Sequence, residues 1–179
     1  MALFKYDSEN LVYKKTNKIL KYRVIVVVLF ISVLFLSFIA AKKRDKEYIK
    51  REITIKEESY KKAVFDRVDE LPFYYKDIIK AQILLETGNF KSAVYIHNKN
   101  IFGFRVAKSR LTTQSGENLK HATYKTVEDC IVDRLLYDAK YMNNLSKEEY
   151  YSFLDRLYAE GDNYSKTLKQ IIKKNRLDE

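Results

Sequence analysis

The chain has 179 residues, a formal net charge of +10, one cysteine and two histidines. A lone cysteine excludes an internal disulfide, and two histidines without cysteine pairs leave no zinc-ligand pattern, so neither a metal nor a cofactor is expected. The basic excess asks for an anionic partner, yet no helix-turn-helix, zinc-finger or RNP-like pattern is present, which argues against nucleic acid.

Charge flanks an apolar run. Residues 1–71 carry sixteen Lys/Arg against ten Asp/Glu, and residues 72–179 carry eighteen against fourteen. Residues 1–23 read as a short basic tail. Val24 to Ala41 is then uncharged and rich in Val, Leu, Ile and Phe. Its eighteen residues span about 27 Å as a helix, close to the hydrocarbon thickness of a bilayer. Lys21, Arg23, Lys42, Lys43 and Arg44 close its ends. A cleaved signal peptide has a shorter apolar region and a small-x-small site, which Ser37-Phe-Ile-Ala40 matches poorly, so an uncleaved signal anchor over residues 24–41 is expected. The positive-inside rule gives no direction, because six Lys/Arg in the first 23 residues face seven in residues 42–60.

Residues 42–56 form a charged stalk without glycine or proline. Beyond it, residues 57–179 make one domain of ordinary size. From Tyr60 an apolar stripe continues through Val64, Val68 and Leu71 at helical spacing and stops at Pro72. Asp77 to Thr87 reads as a helix with Gly88 as its C-terminal cap. A loop and short helix are expected over 89–102, and a small β-hairpin lobe within 103–124, where Thr, Gly and Ser turn signals interrupt alternation. Thr126 with Asp129 resembles a capping box, opening a helix with Val127, Cys130, Ile131 and Leu135 inward. Helices over about 147–159 and 163–176 complete the chain.

The run Ala81-Gln-Ile-Leu-Leu-Glu-Thr-Gly88 sets one acid, Glu86, at the apolar end of a helix. Desolvation there favours the neutral carboxyl, and the negative end of the helix dipole pushes the same way. Such a group suits a glycosidase, which needs a proton to hand to a leaving oxygen. The plainer alternative is a solvated helix-end residue or half of a structural ion pair. Asn100-Ile-Phe-Gly103 follows a dozen residues later.

With Gln82-x-x-x-Glu86-Thr and Asn-x-Phe-Gly, the chain resembles the glucosaminidase domain family, glycoside hydrolase family 73. The resemblance extends to Tyr124-Lys-Thr-Val-Glu-Asp-Cys-Ile-Val-Asp133 and to Tyr158-Ala-Glu-Gly-Asp-Asn-Tyr164, with Leu168, Ile171 and Ile172 after it. It covers residues 72–178 in four ordered blocks. It implies a mainly α (α+β) fold, a lysozyme-like helical domain with a small β-hairpin lobe, here preceded by one transmembrane helix. It further implies a peptidoglycan hydrolase with Glu86 as general acid, its domain facing the cell wall and residues 1–23 therefore a cytoplasmic tail.

In the resembled family a second acid sits on the hairpin lobe, and Glu117 is the only carboxylate between Glu86 and Glu128. It would orient water or stabilise the oxocarbenium-like charge, unless the substrate's own acetamido group attacks. Otherwise Glu117 is a solvated hairpin-tip residue. Tyr124 matches the family tyrosine that lines the cleft, Tyr158 of the closing segment is a further substrate-binding candidate, and Phe102 with Gly103 would form a sugar-stacking floor or simply pack. Asn100 is turn-forming or sugar-contacting, and Asp133 an anchor held by a buried ion pair. Lys99, Arg105, Lys108, Arg110, Lys120 and Lys125 cluster around the hairpin and would hold substrate carboxylates, or form a solvated face. The expected protein is thus a monomeric, membrane-anchored endo-β-N-acetylglucosaminidase acting on peptidoglycan glycan strands. The alternatives are a muramidase or lytic transglycosylase, or a catalytically inactive wall-binding envelope or virion component.

Overall fold

The computed structural model describes residues 4–15, 18–157 and 163–178. The chain divides into two units, Met1–Ile55 and Lys56–Glu179.

In the first unit, residues that read as a bare tail form an antiparallel hairpin of β1 (Phe4–Asp7) and β2 (Val12–Lys15), with Tyr6 opposite Tyr13. The side chain of Asp7 closes the turn, accepting from the Glu9 N–H at 3.2 Å and from Asn10 Nδ2 at 3.2 Å. The two tyrosine rings lie 5.0 Å apart and supply the cross-strand contact. Helix α1 (Lys18–Glu70) follows. Where the sequence suggests an apolar segment, a stalk and a separate helical stripe, the structure has one helix. The reason is local: no glycine or proline lies between residues 18 and 70, and the chain's single proline, Pro72, stands just past the helix end. Residues 22–40 are exposed throughout. This stretch is long and apolar enough to cross a membrane, a property that signal sequences share. Its hydroxyls turn back onto the helix, Ser32 to the Leu29 carbonyl and Ser37 to the Leu34 carbonyl, both at 2.7 Å, which satisfies them without water.

The second unit is mainly helical. Val64 and Val68 of the last turns of α1 are buried with Ile78, Ile79 and Ile83 of α2 (Lys76–Glu86). The core continues through Ile101 and Phe102 after the short helix α3 (Ala93–Asn98), then Cys130 and Ile131 of α4 (Val127–Tyr141). Leu154 of α5 (Lys147–Leu157) and Leu168 and Ile172 of α6 (Tyr164–Asn175) complete it. Helix α6 packs against both α2 and α5.

The start of α4 carries the expected capping box. Thr126 Oγ1 accepts from the Asp129 N–H at 3.0 Å, and Asp129 Oδ2 accepts from the Thr126 N–H at 2.9 Å. The hairpin lobe is smaller than the sequence suggests. Only β3 (Gly116–Asn118) and β4 (His121–Thr123) pair, with Glu117 opposite Ala122. Residues 104–115 are irregular, bonding β4 at their ends through the Phe104 carbonyl and the Ser115 N–H, while Arg110, Thr113 and Gln114 all bond Asp133 of α4. Asn98 and Asn118 hold the lobe to α3. Asn98 Nδ2 donates to the Asn118 carbonyl at 2.6 Å, and Asn118 Nδ2 donates to Asn98 Oδ1 at 2.8 Å.

Candidate active site

Glu86 is the last residue of α2, at the end of a buried apolar run. Thr87 caps the helix, its hydroxyl donating to the Ile83 carbonyl at 2.6 Å and accepting from the Phe90 N–H at 2.9 Å. Gly88 follows in the left-handed conformation at φ +54°, the C-terminal stop read from the sequence. Glu86 is half-buried, and its two carboxylate oxygens have different surroundings. Oε1 accepts a 2.7 Å hydrogen bond from the Tyr164 hydroxyl, which in turn accepts from Gln82 Nε2 at 3.1 Å. Oε2 stands over Gly103, so close that a Cβ there would lie 2.6 Å from it. Gly103 also has φ +66°, so this position requires glycine both for its backbone and for the approach of the acid.

Burial pushes the Glu86 carboxyl above the usual carboxylate range. The hydrogen bond from Tyr164 and the charges of Arg134 on α4 and His121 on β4 pull it back, and burial outweighs them. Arg134 is itself fully buried. Its Nε donates to Asp138 Oδ1 at 2.7 Å, its Nη2 donates to the Tyr150 hydroxyl at 2.6 Å, and its guanidinium lies 5.2 Å from the Phe102 ring centre. Desolvation raises Asp138 despite that arginine.

Asn100 and Phe102 form the support beneath the acid. Of the two roles open to Asn100, the geometry carries the turn-forming one. The residue is fully buried, its Nδ2 donates to the carbonyls of Phe104 at 2.9 Å and Ala122 at 3.0 Å, and its Oδ1 accepts from the Phe102 and Phe104 N–H groups. Phe102 is fully buried too, between Phe104 at 5.8 Å and Arg134, so it packs under the site with no ring face open to a sugar.

Tyr124 is buried, and its hydroxyl donates to Asp133 Oδ2 at 2.7 Å. Burial pushes the Tyr124 phenol strongly up, with Cys130 and Asp133 adding to it. Asp133 forms the buried ion pair read from the sequence, Arg110 Nη1 and Nη2 gripping its two oxygens at 2.6 and 2.7 Å. Burial alone would raise Asp133, but Arg110, Thr112 and Tyr124 hold it below the ordinary aspartate range. Arg110 is therefore not part of a substrate-facing basic cluster; its side chain is 5% exposed. Arg105 donates to the Lys120 carbonyl at 2.7 Å, and Lys99 to the Lys125 carbonyl. Lys99 and Lys125 still line an open cleft of about 440 Å³ with Tyr60, Tyr95 and Ile96.

Glu117 is exposed on β3. Tyr158 lies outside the described residues. Among the described residues no group of three His, Cys, Asp or Glu side chains could hold a metal ion. The structure adds Tyr164 to the site, with Gln82 and Arg134 behind it. Gln82 was visible in the sequence as the residue one helical turn before Glu86. Tyr164, 78 residues from its partner, carries no local signal of that contact.

The site thus joins a half-buried carboxyl, whose neutral form burial favours, to a tyrosine that holds one of its oxygens and a glycine beneath the other, on a helical domain. Residues 73–177, more than half the chain, match the family model described as mannosyl-glycoprotein endo-beta-N-acetylglucosaminidase, and the chain belongs to this glucosaminidase family. The catalytic domain of the autolysin Auto from Listeria monocytogenes is similar at 17% identity and a TM-score of 0.48, over 68% of this chain and 85% of that domain. No curated protein matches the chain.

Proposed function

We propose that this chain is a peptidoglycan hydrolase, an endo-β-N-acetylglucosaminidase with Glu86 as general acid. The observation that carries the reading is the asymmetry of Glu86. Burial favours its protonated form, one oxygen is fixed by Tyr164, and the other is left over Gly103. Protonating the leaving oxygen as the glycosidic bond breaks removes the cost of expelling an alkoxide, and general-acid catalysis of this kind is worth about 10² to 10⁴ in rate. Positive charge then builds on the sugar ring. Either Glu117 orients the attacking water, or the acetamido oxygen of N-acetylglucosamine attacks the anomeric carbon first. Lys99 and Lys125 offer charge for substrate carboxylates along their cleft.

The site belongs on the wall side of the cytoplasmic membrane, with residues 24–41 as an uncleaved anchor. Two measurements test the whole reading. Purified peptidoglycan digested by the chain should yield new reducing N-acetylglucosamine ends, and Glu86→Gln should yield none. Reducing muramic acid or an anhydro-sugar would overturn the bond assignment, and intact strands would overturn the hydrolase. Fractionation of expressing cells should leave the full-length chain in the membrane, whereas a shortened soluble species would make residues 24–41 a signal peptide.

A further inference from the structure

Gln82 and Glu86 lie one turn apart on the same face of α2, and Tyr164 reaches both from the first turn of α6. Gln82 is fully buried, an unusual place for an amide. Its Nε2 can only donate, and it occupies the acceptor side of the Tyr164 hydroxyl at 3.1 Å. A phenol has one hydrogen. With its oxygen already accepting from Gln82, that hydrogen points at Glu86 Oε1, 2.7 Å away. An oxygen that accepts this bond along its lone pair is not the one that carries the acid's own proton.

We propose that Gln82 is a positioning residue: by orienting the Tyr164 hydroxyl it confines the transferable proton of Glu86 to Oε2, the oxygen over Gly103. This rests on the general-acid reading of Glu86 and adds the residue that decides which of its oxygens works. Among the described residues the amide's Oε1 has no hydrogen-bond partner, which is the cost of holding Nε2 toward Tyr164. The other groups acting on Glu86 come from separate elements, Arg134 on α4 and His121 on β4. His121 Nδ1 lies 2.7 Å from the Leu119 carbonyl, which can only accept, so that nitrogen carries a hydrogen and does not compete for Tyr164.

The reverse chain is the rival. If Gln82 presented its carbonyl, Tyr164 would donate to Gln82 and protonated Glu86 would donate to Tyr164 through Oε1. The two differ in sign. In the proposed chain the phenol stabilises the ionised acid, and in the reverse chain it stabilises the neutral one.

The test is a ¹³C titration of the Glu86 carboxyl carbon in the full chain in detergent, independent of any activity. Tyr164→Phe should raise the midpoint by about one pH unit, as loss of a hydrogen bond to a charged group predicts. Gln82→Met should raise it by less, and should add nothing in the Tyr164→Phe background. A midpoint that falls in Tyr164→Phe overturns the proposal. So does a Gln82→Met shift that persists beside Tyr164→Phe, since Gln82 would then act by another route. If Gln82→Met does not fold, the sign in Tyr164→Phe alone decides the direction of the chain. Failure of the glycosidase reading would show separately, as intact peptidoglycan with an unchanged titration pattern.

Discussion

Gly103→Ala separates the chemistry from the fold. The added Cβ faces two penalties of different kind. The first is the left-handed backbone at φ +66°, which costs an L-residue about 1–2 kcal/mol. The second is the contact 2.6 Å from Glu86 Oε2, which the carboxylate can relieve only by moving, with its other oxygen tethered to Tyr164 at 2.7 Å. Gly88→Ala is the matched control, because Gly88 has φ +54° and open space where its Cβ would go. Both variants should incur the left-handed penalty, a fall in Tm of several degrees, and Gly103→Ala should lose more stability through its contact with Glu86. They should part in activity. A catalytic group displaced by about 1 Å can lose about 10²-fold in rate, so Gly103→Ala should be nearly inactive while Gly88→Ala keeps most of its turnover. Thermal melts by circular dichroism, beside reducing-sugar release from purified peptidoglycan, provide the comparison. A folded Gly103→Ala protein within a few-fold of wild type would refute the claim that Glu86 works from above this glycine.

Glu86→Gln should lose at least about 10²-fold in rate while folding normally. Because burial raises the folded-state value of Glu86, wild-type stability should drop as pH climbs from the ordinary glutamate range through that raised value, and the glutamine variant should not share the drop; denaturant melts across pH would show it. In turnover, the same group predicts activity that declines as pH rises through the Glu86 value. Arg110→Ala strands Asp133 as an unpaired buried charge and should cost about 3–5 kcal/mol at neutral pH. That loss should shrink in acid, because Asp133 is depressed in the fold and its contribution fades as pH falls through its lowered value; an undiminished gap at low pH would contradict the ion-pair account.

What could be read from the sequence was what depends on near neighbours. The Thr126–Asp129 capping box, the Gly88 stop and the inward Cys130 all sit within one or two turns of the residues that explain them. Glu86 drew notice as an acid in an apolar run, and the family resemblance of its neighbours singled it out from an ordinary helix-end residue. Contacts between distant segments were not. Tyr164 reaches Glu86 across 78 residues, and Arg110 reaches Asp133 from a loop with no regular pattern, so it read as one more surface cation. The N-terminal hairpin escaped for another reason: its strands are four residues each, too short for alternation to stand out beside a strong apolar helix. The extended helix α1 shows the opposite case: three stretches of different composition form one helix, since no glycine or proline interrupts the backbone.

Cys130 has a practical consequence. It is the chain's only cysteine, fully buried, with its sulfur 3.4 Å from the Ile101 N–H, and burial pushes the thiol up to about 12. At pH 8 almost none of it is thiolate, so a thiol reagent can react only after the loop holding Ile101 has parted from α4. The rate of labelling by a disulfide reagent in excess therefore counts openings at the joint between that loop and α4. The protein carries, without engineering, a single-site clock for the integrity of the platform on which Glu86 rests.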